Sequence, residues 1–185
     1  MKKAVVDIDN TLWAFSEALY PRLRALNPGI PPPHEWTDWD FWERHVSVDE
    51  FRAVITDIHV AQDSEAHVPF AEAAHFLTSM REAGHYVVIA SHRDRTTMVQ
   101  TERWLIKHGL AFDELHLSFD KTVLFNSDCR VVVDDAPDIL ARAAERGVLA
   151  TGILCPWNSL SGNGTYRLFP TLGEVLSYIL MEAGS

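Results

Sequence analysis

The sequence has no apolar run near the roughly 18 residues that a membrane-spanning helix needs, so no span is expected. The short run before Asp7 is cut off by Asp7 and Asp9, too early for a signal peptide. Only two cysteines occur, Cys129 and Cys155, with no metal-binding or redox spacing, which argues against a disulfide framework and for a reducing, cytoplasmic setting. Positive charge is scarce: 16 Lys and Arg stand against 26 Asp and Glu, for a formal net charge of -10. Backbone binding to nucleic acid is driven by Lys and Arg, so polymeric nucleic acid is not an expected partner. A small phosphorylated substrate remains open, because one local cation cluster or a metal suffices to hold it. The chain also lacks internal repeats, a nucleotide-binding glycine motif (residues 161–164 read as a loop) and any metal-binding histidine spacing. Its nine histidines therefore read mostly as surface or packing residues.

What is present is an alternation of short apolar runs and amphipathic stretches. Residues 4–8, 85–90, 114–117, 131–133 and 148–154 read as strands, and their continuous apolar character fits a parallel sheet covered on both faces. Helical patterns fall at 70–83, 95–108, 137–146 and 172–181, with Gly84, Gly109 and Gly147 placed to end the first three. The fold class expected is α/β, a doubly wound, mostly parallel Rossmann-like sheet with right-handed crossovers. One segment breaks the alternation. Residues 13–67 hold Pro28, Pro31, Pro32 and Pro33, then Trp36, Trp39, Phe41 and Trp42, then a helical pattern over 48–60. They read as a small helical cap inserted after the first strand, with residues 1–12 and 68–185 forming the core domain.

Ligands in open α/β sheets bind at the carboxyl ends of the strands. The first strand delivers Asp7 and Asp9 there, the second Ser91, His92 and Arg93, and the fourth Asp134 and Asp135; Lys121 precedes the fourth. Residues two apart in an extended chain point the same way, so Asp7 and Asp9 can face one site. One carboxylate can attack phosphorus and form an aspartyl-phosphate, while the other moves the proton of the leaving oxygen and then of the attacking water. Mg2+ takes hard oxygen ligands, which Asp7, a main-chain carbonyl near Asp9 and Asp135 can supply. Ser91 and Lys121 can hold the phosphoryl oxygens. Taken singly these residues have plainer readings: Ser91 as a helix N-cap, Lys121 as solvated surface, and Asp135 as a cap before Pro137. Charged pairs directly after buried strands are costly unless used, which favours the chemical reading of the set.

In order and placement, Asp7-Ile8-Asp9-Asn10-Thr11, Ser91, Lys121 and Asp134-Asp135 resemble the four motifs of the haloacid dehalogenase-like (HAD) phosphatase superfamily. The resemblance covers the core from Lys2 to about Leu154. It implies that Asp7 is nucleophile and metal ligand, and that Asp9 is the general acid/base with its main-chain carbonyl on Mg2+. Ser91 and Lys121 would bind phosphate. Asp135 most resembles the metal-binding acid and Asp134 the residue that orients Lys121, though in sequence terms the adjacent pair is interchangeable. The early aromatic cap, Asp120-Lys121-Thr122 and the stretch 131–138 are similar to the 5'(3')-deoxyribonucleotidase group, which has Arg or Lys where this chain has Ala136. The run Ser91-His92-Arg93-Asp94-Arg95, with Thr101-Glu102-Arg103-Trp104-Leu105, also resembles phosphatase domains of phage-type polynucleotide kinase-phosphatases.

The expectation is thus a Mg2+-dependent phosphomonoesterase acting on (deoxy)nucleoside monophosphates, a 5'-nucleotidase. The alternatives are a polynucleotide 3'-end or other small-molecule phosphatase, and a non-catalytic phosphate-binding module. His92, Arg93, Trp39 and Phe41 are candidate substrate contacts, the aromatic rings because a nucleobase stacks on such rings. Trp36 and Trp42 read mainly as packing within the cap, and Trp104 and Trp157 as core or edge packing.

Overall fold

The computed structural model of the chain describes residues 2–64, 66–159 and 164–183. Six strands form one parallel sheet: β1 (Lys2–Val6), β2 (His85–Ser91), β3 (Glu114–Leu117), β4 (Cys129–Val133), β5 (Leu149–Ile153) and β6 (Arg167–Phe169). Their order is β3-β2-β1-β4-β5-β6, every neighbouring pair parallel. Side chains alternate across the sheet, so each strand feeds two cores. Ala4, Val87, Ile89 and Val131 pack with α3 (Ala73–Glu82), α4 (Met98–Lys107) and α6 (Leu172–Ala183). Val5, Val88, Val132 and Ala150 pack on the other face with α5 (Pro137–Glu145). The doubly wound α/β arrangement read from the periodicity is the one observed.

Two differences bear on the site. The first strand ends at Val6, two residues earlier than the apolar run suggested, so Asp7 begins the loop instead of ending the strand. Asp7 still extends the pairing, its N–H donating to Val133 O at 2.9 Å. The short edge strand β6 was not foreseen; three residues with half-exposed side chains leave no apolar run to read. The glycine-rich loop expected at 161–164 lies largely outside the described residues.

Between Asp7 and α3 no described residue adds a strand to the sheet. This stretch carries α1 (Phe15–Leu26), two 3-10 turns (Pro33–Glu35 and Phe41–Arg44) and α2 (Val48–Val60). The last has a full capping box, Ser47 and Glu50 each satisfying the other's main-chain N–H, so its start is fixed by local chemistry. The two cysteines are free and buried. Among the described residues no helix is long and apolar enough to cross a membrane.

Candidate active site

The strand order reverses between β1 and β4, and the crevice there opens at their carboxyl ends. Asp7-Ile8-Asp9 leaves β1 into this crevice, with Ile8 fully buried on the far side. Asn10 then turns the chain with φ 56°, a left-handed conformation that Asn tolerates better than most residues. Its side-chain oxygen accepts from Ser16 N–H at 2.8 Å, which ties the turn to the start of α1. Across the crevice Gly152 of β5 lies against the main chain of Asp134: a Cβ there would meet Asp134 O at 1.8 Å. Only glycine lets β5 support the acid pair this closely.

The structure gathers Asp7, Lys121, Asp134 and Asp135 into one buried group. Lys121 Nζ donates to Asp7 Oδ1 at 2.8 Å and to Asp134 Oδ2 at 2.6 Å. The other Asp134 oxygen accepts from Ala136 N–H at 3.0 Å. Asp135 forms no ion pair among the described residues; it accepts from Trp157 Nε1 at 3.2 Å and from the Asn10 side chain. One carboxylate oxygen from each of Asp7, Asp134 and Asp135 lies within 4.8 Å of the others. Burial, opposed by Lys121, pushes the Asp7 carboxyl up to about 7. Burial and the neighbouring acids raise Asp135 as well. Lys121 is buried, which disfavours its charge, but Asp134 and Asp7 outweigh that and hold it protonated.

Asp9 has the opposite surroundings. Its Oδ1 accepts from Trp13 Nε1 at 2.9 Å and from Arg93 Nη2 at 2.5 Å. Its Oδ2 accepts from Arg93 Nε at 3.1 Å and Ser91 Oγ at 3.4 Å, and lies 3.1 Å from His59 Nε2. Burial alone would raise its pKa; Arg93 and His59 reverse the sign and hold it far below the usual carboxylate range. Burial lowers the pKa of His59, against the attraction of Asp9. Four acids (Asp7, Asp9, Asp134 and Asp135) therefore face two permanent cations (Lys121 and Arg93), a surplus of two negative charges when all are ionised. Hard oxygen donors with an unbalanced double charge suit a divalent cation.

Arg93 does not contact the open cavity, contrary to the expectation from its place after β2. Its side chain is 0% exposed, and the remaining Nη1 donates to Thr101 Oγ1 at 3.1 Å. A buried guanidinium needs a carboxylate, and Asp9 supplies one that it can grip through two nitrogens. His92, next in line, does face the cavity; burial and Lys121 push its pKa down to about 4, so it is a neutral donor or acceptor there. Ser91, Trp39 and Phe41 lie on the cavity wall.

Three contributors escaped the sequence reading. His59 reaches Asp9 from α2, fifty residues away in sequence, in a helix whose pattern gave no hint of it. Trp13 and Trp157, read as boundary and packing residues, each turn an indole N–H onto a site carboxylate. Trp157 is held by the turn after β5, where Asn158 donates to Asp135 O and Ile153 O and accepts from Cys155 N–H. The only available signal was chemical: a buried Trp N–H needs an acceptor.

The cavity above these acids has a volume of about 160 Å³. Its far wall comes from the helical segment 13–67 and is apolar and aromatic.

The sequence matches no protein-family model, and no curated protein sequence matches it. Solved structures do match. A predicted phosphatase from Clostridium acetobutylicum superposes with a TM-score of 0.64 at 16% identity, over 97% of this chain and 98% of that one. A predicted phosphoglycolate phosphatase from Haemophilus somnus gives 0.63 at 12% identity, over 97% and 98%. A D,D-heptose 1,7-bisphosphate phosphatase from B. bronchiseptica, complexed with magnesium and phosphate, gives 0.56 at 14% identity, over 98% and 99%. The chain has the HAD-like fold. At these identities the HAD likeness extends to architecture, and the chemistry has to be argued from the residues.

Proposed function

We propose that the chain is a Mg2+-dependent phosphomonoesterase that works through an aspartyl-phosphate on Asp7, with (deoxy)nucleoside monophosphates as its substrates. The observation that carries this reading is the joining of Asp7 to Lys121 and the Asp134–Asp135 pair at the sheet's switch point, at the floor of an aromatic cavity. Residues 1–12 and 68–185 act as the catalytic core and residues 13–67 as its cap.

Asp7 forms a bond to phosphorus as the ester P–O bond breaks, and the leaving oxygen takes a proton from Asp9. Water then attacks the aspartyl-phosphate, Asp9 takes its proton, and phosphate leaves with Asp7 restored. Arg93 and His59 hold Asp9 in its ionised form, the form that accepts the water's proton in the second step. Ser91 and Lys121 bind phosphoryl oxygens, and Lys121 also keeps Asp7 aimed. Asp134 spends its oxygens on Lys121 and Ala136 N–H, which leaves Asp7, Asp135 and the main-chain carbonyl of Asp9 to hold Mg2+. Bound there, the ion would offset the surplus charge of the acids and polarise the phosphoryl group.

Phosphate release from nucleoside monophosphates, sugar phosphates and a 3'-phosphorylated oligonucleotide, with and without EDTA, tests the reading. Nucleoside monophosphates should lead, EDTA should abolish release, and Asp7→Asn should lower turnover by at least ~10³-fold while keeping a native circular dichroism spectrum. Full activity of Asp7→Asn, or of the wild type in EDTA, would sink the mechanism; preference for the oligonucleotide would sink the substrate assignment.

A further inference from the structure

The cavity divides into a charged floor and a mostly apolar wall whose one carboxylate is Asp38 among the described residues. Segment 13–67 brings six rings to the wall, Phe15, Trp36, Trp39, Phe41, Trp42 and Phe51, and Trp157 joins them from beyond β5. Four of these are already face to face in pairs. Trp36 stacks on Phe41 at 3.9 Å and 12°, and Trp42 stacks on Phe51 at 4.1 Å and 4°. Phe15 packs on the His59 ring. Trp39 alone of the six has no ring partner among the described residues. It is 42% exposed and lies where the cavity meets an outer groove. A large aromatic side chain left out of the packing around it offers an open face to a flat group.

Cations are missing from the same wall. Lys121 is the only Lys or Arg on the cavity lining, and Asp7 and Asp134 already hold it at the floor. The outer groove adds Asp38, Asp40 and Asp138; Arg44 and Arg142 pair with the first and last of these but line neither space. A second phosphate or carboxylate on the substrate would leave water and find no cation to meet it, which is costly in an apolar setting. Hydrogen-bonding groups are equally sparse. Beyond the floor the described lining offers only Asp38, His92, His59 (already on Asp9) and Trp indole N–H groups, with no amide or hydroxyl side chain among the described residues. Strong discrimination between similar flat groups needs buried hydrogen-bond partners.

Building on the phosphatase reading above, we propose that the cavity selects phosphomonoesters by the flat apolar shape of the esterified group, which stacks on Trp39. It excludes a second anionic group and reads little of the flat group's edges. The floor takes the one phosphate, the wall takes the ring system, and nothing on the wall rewards further charge.

Equilibrium binding in Mg2+ to the Asp7→Asn protein tests this without turnover, and Asp7→Ser serves as a second such form should the first fail to fold. The probes are the four deoxynucleoside 5'-monophosphates, thymidine 3',5'-bisphosphate and glycerol 3-phosphate. The four monophosphates should bind within a factor of about ten of one another. Each should bind at least about ten-fold more tightly than either the bisphosphate or glycerol phosphate. Trp39→Ala should erase the advantage over glycerol phosphate while leaving glycerol phosphate binding unchanged. Equal or tighter binding of the bisphosphate overturns the inference. So does equal binding of glycerol phosphate, absence of binding by every probe, or no effect of Trp39→Ala. The catalytic reading fails separately: if the wild type releases no phosphate from any probe while the binding order holds, the cavity's selectivity stands and the phosphatase assignment falls.

Discussion

Asp7 and Asp9 are two residues apart on one turn, yet they sit in opposite electrostatic surroundings. Asp7 is buried and shares its single cation, Lys121, with Asp134, so burial wins and its carboxyl rises to about 7. Asp9 holds Arg93 through both carboxylate oxygens, with His59 and Trp13 added, and its carboxyl falls far below the ordinary range. The same side chain thus becomes two reagents. The first is short of positive charge and complete only with a cation; the second carries its own counter-ion. Nothing in the local sequence makes this difference. It comes from β2, α2 and the 3-10 turn at Lys121–Leu124, which reach the two acids from different directions.

The sharpest way to break the contrast is to remove the counter-ion of Asp9. Arg93→Met keeps the length of the buried side chain but strands Asp9, whose side chain is 18% exposed, without the Arg93 charge. Removing one partner of a buried pair costs about 3 kcal/mol or more, because the other charge stays behind. Urea or thermal unfolding of Arg93→Met should show a loss of that size, and Arg93→Met/Asp9→Asn should recover much of it. Asp7→Asn removes a carboxylate whose burial is unfavourable, so its stability should change by less than ~1 kcal/mol or rise. If Arg93→Met proves no less stable than Asp7→Asn, the two acids are not held in the different ways described.

How much of this was legible beforehand follows the same division. The Asp7 side was readable: four polar residues placed after apolar strands, in a chain whose β-α alternation leaves one reversal point, could only meet at one edge. The doubly wound parallel sheet and the helical character of 48–60 follow from periodicity, which a sequence displays directly, whereas the strand order comes only with the structure. The Asp9 side was not readable. Arg93 looks like a free cation at a helix start, and only the packing of Thr101 and Asp9 around it reveals an inward guanidinium. His59 lies on an otherwise ordinary amphipathic helix, and its contact depends on how α2 docks against the core. The short strand β6 has too few residues to show a period. Long-range pairings between charged groups have no local signature, whereas apolar burial does.

A smaller effect separates the acids through pH. Carboxylates bind metal when deprotonated, so protons and Mg2+ compete for Asp7 and Asp135 but scarcely for Asp9 above pH 4. Without metal, a raised carboxyl contributes stability that is fully present below its unfolded value near 3.8 and is lost as pH rises through about 7. His92 acts in the reverse sense over the same range: its folded value near 4 lies below the unfolded 6.5, so its contribution is present above 6.5 and lost as pH falls towards 4. Stability alone mixes the two, whereas metal affinity isolates the acids. With one proton displaced near pH 7, the Mg2+ dissociation constant from thermal-shift titration should be ~25-fold weaker at pH 5.5 than at pH 7.5. A dissociation constant that does not move over this interval would show that Asp7 is ionised without the metal, as Asp9 is.

The mildest test concerns the support of the metal-facing acid. Trp157 Nε1 donates to Asp135 Oδ2 at 3.2 Å, and Asn158 fixes the main chain of the same residue. Among the described residues no Lys or Arg forms an ion pair with Asp135, which feels Lys121 only electrostatically, so this indole and Asn10 are the side chains that aim its carboxylate. Trp157→Phe keeps a ring against the wall near Trp36 and removes the donor and part of the bulk. Groups that orient a metal ligand from behind are worth about 10–100-fold in affinity, and the retained ring and Asn10 place this variant at the low end. Mg2+ binding should weaken ~10-fold with little change in melting temperature without metal, and turnover at saturating Mg2+ should stay within about two-fold of wild type. A purely packing role predicts the reverse: a lower melting temperature with Mg2+ affinity unchanged. Asp7 and Asp134 are braced by the charge of Lys121; if Trp157→Phe behaves as expected, Asp135 completes the same group through a neutral donor, which leaves its full charge for the metal.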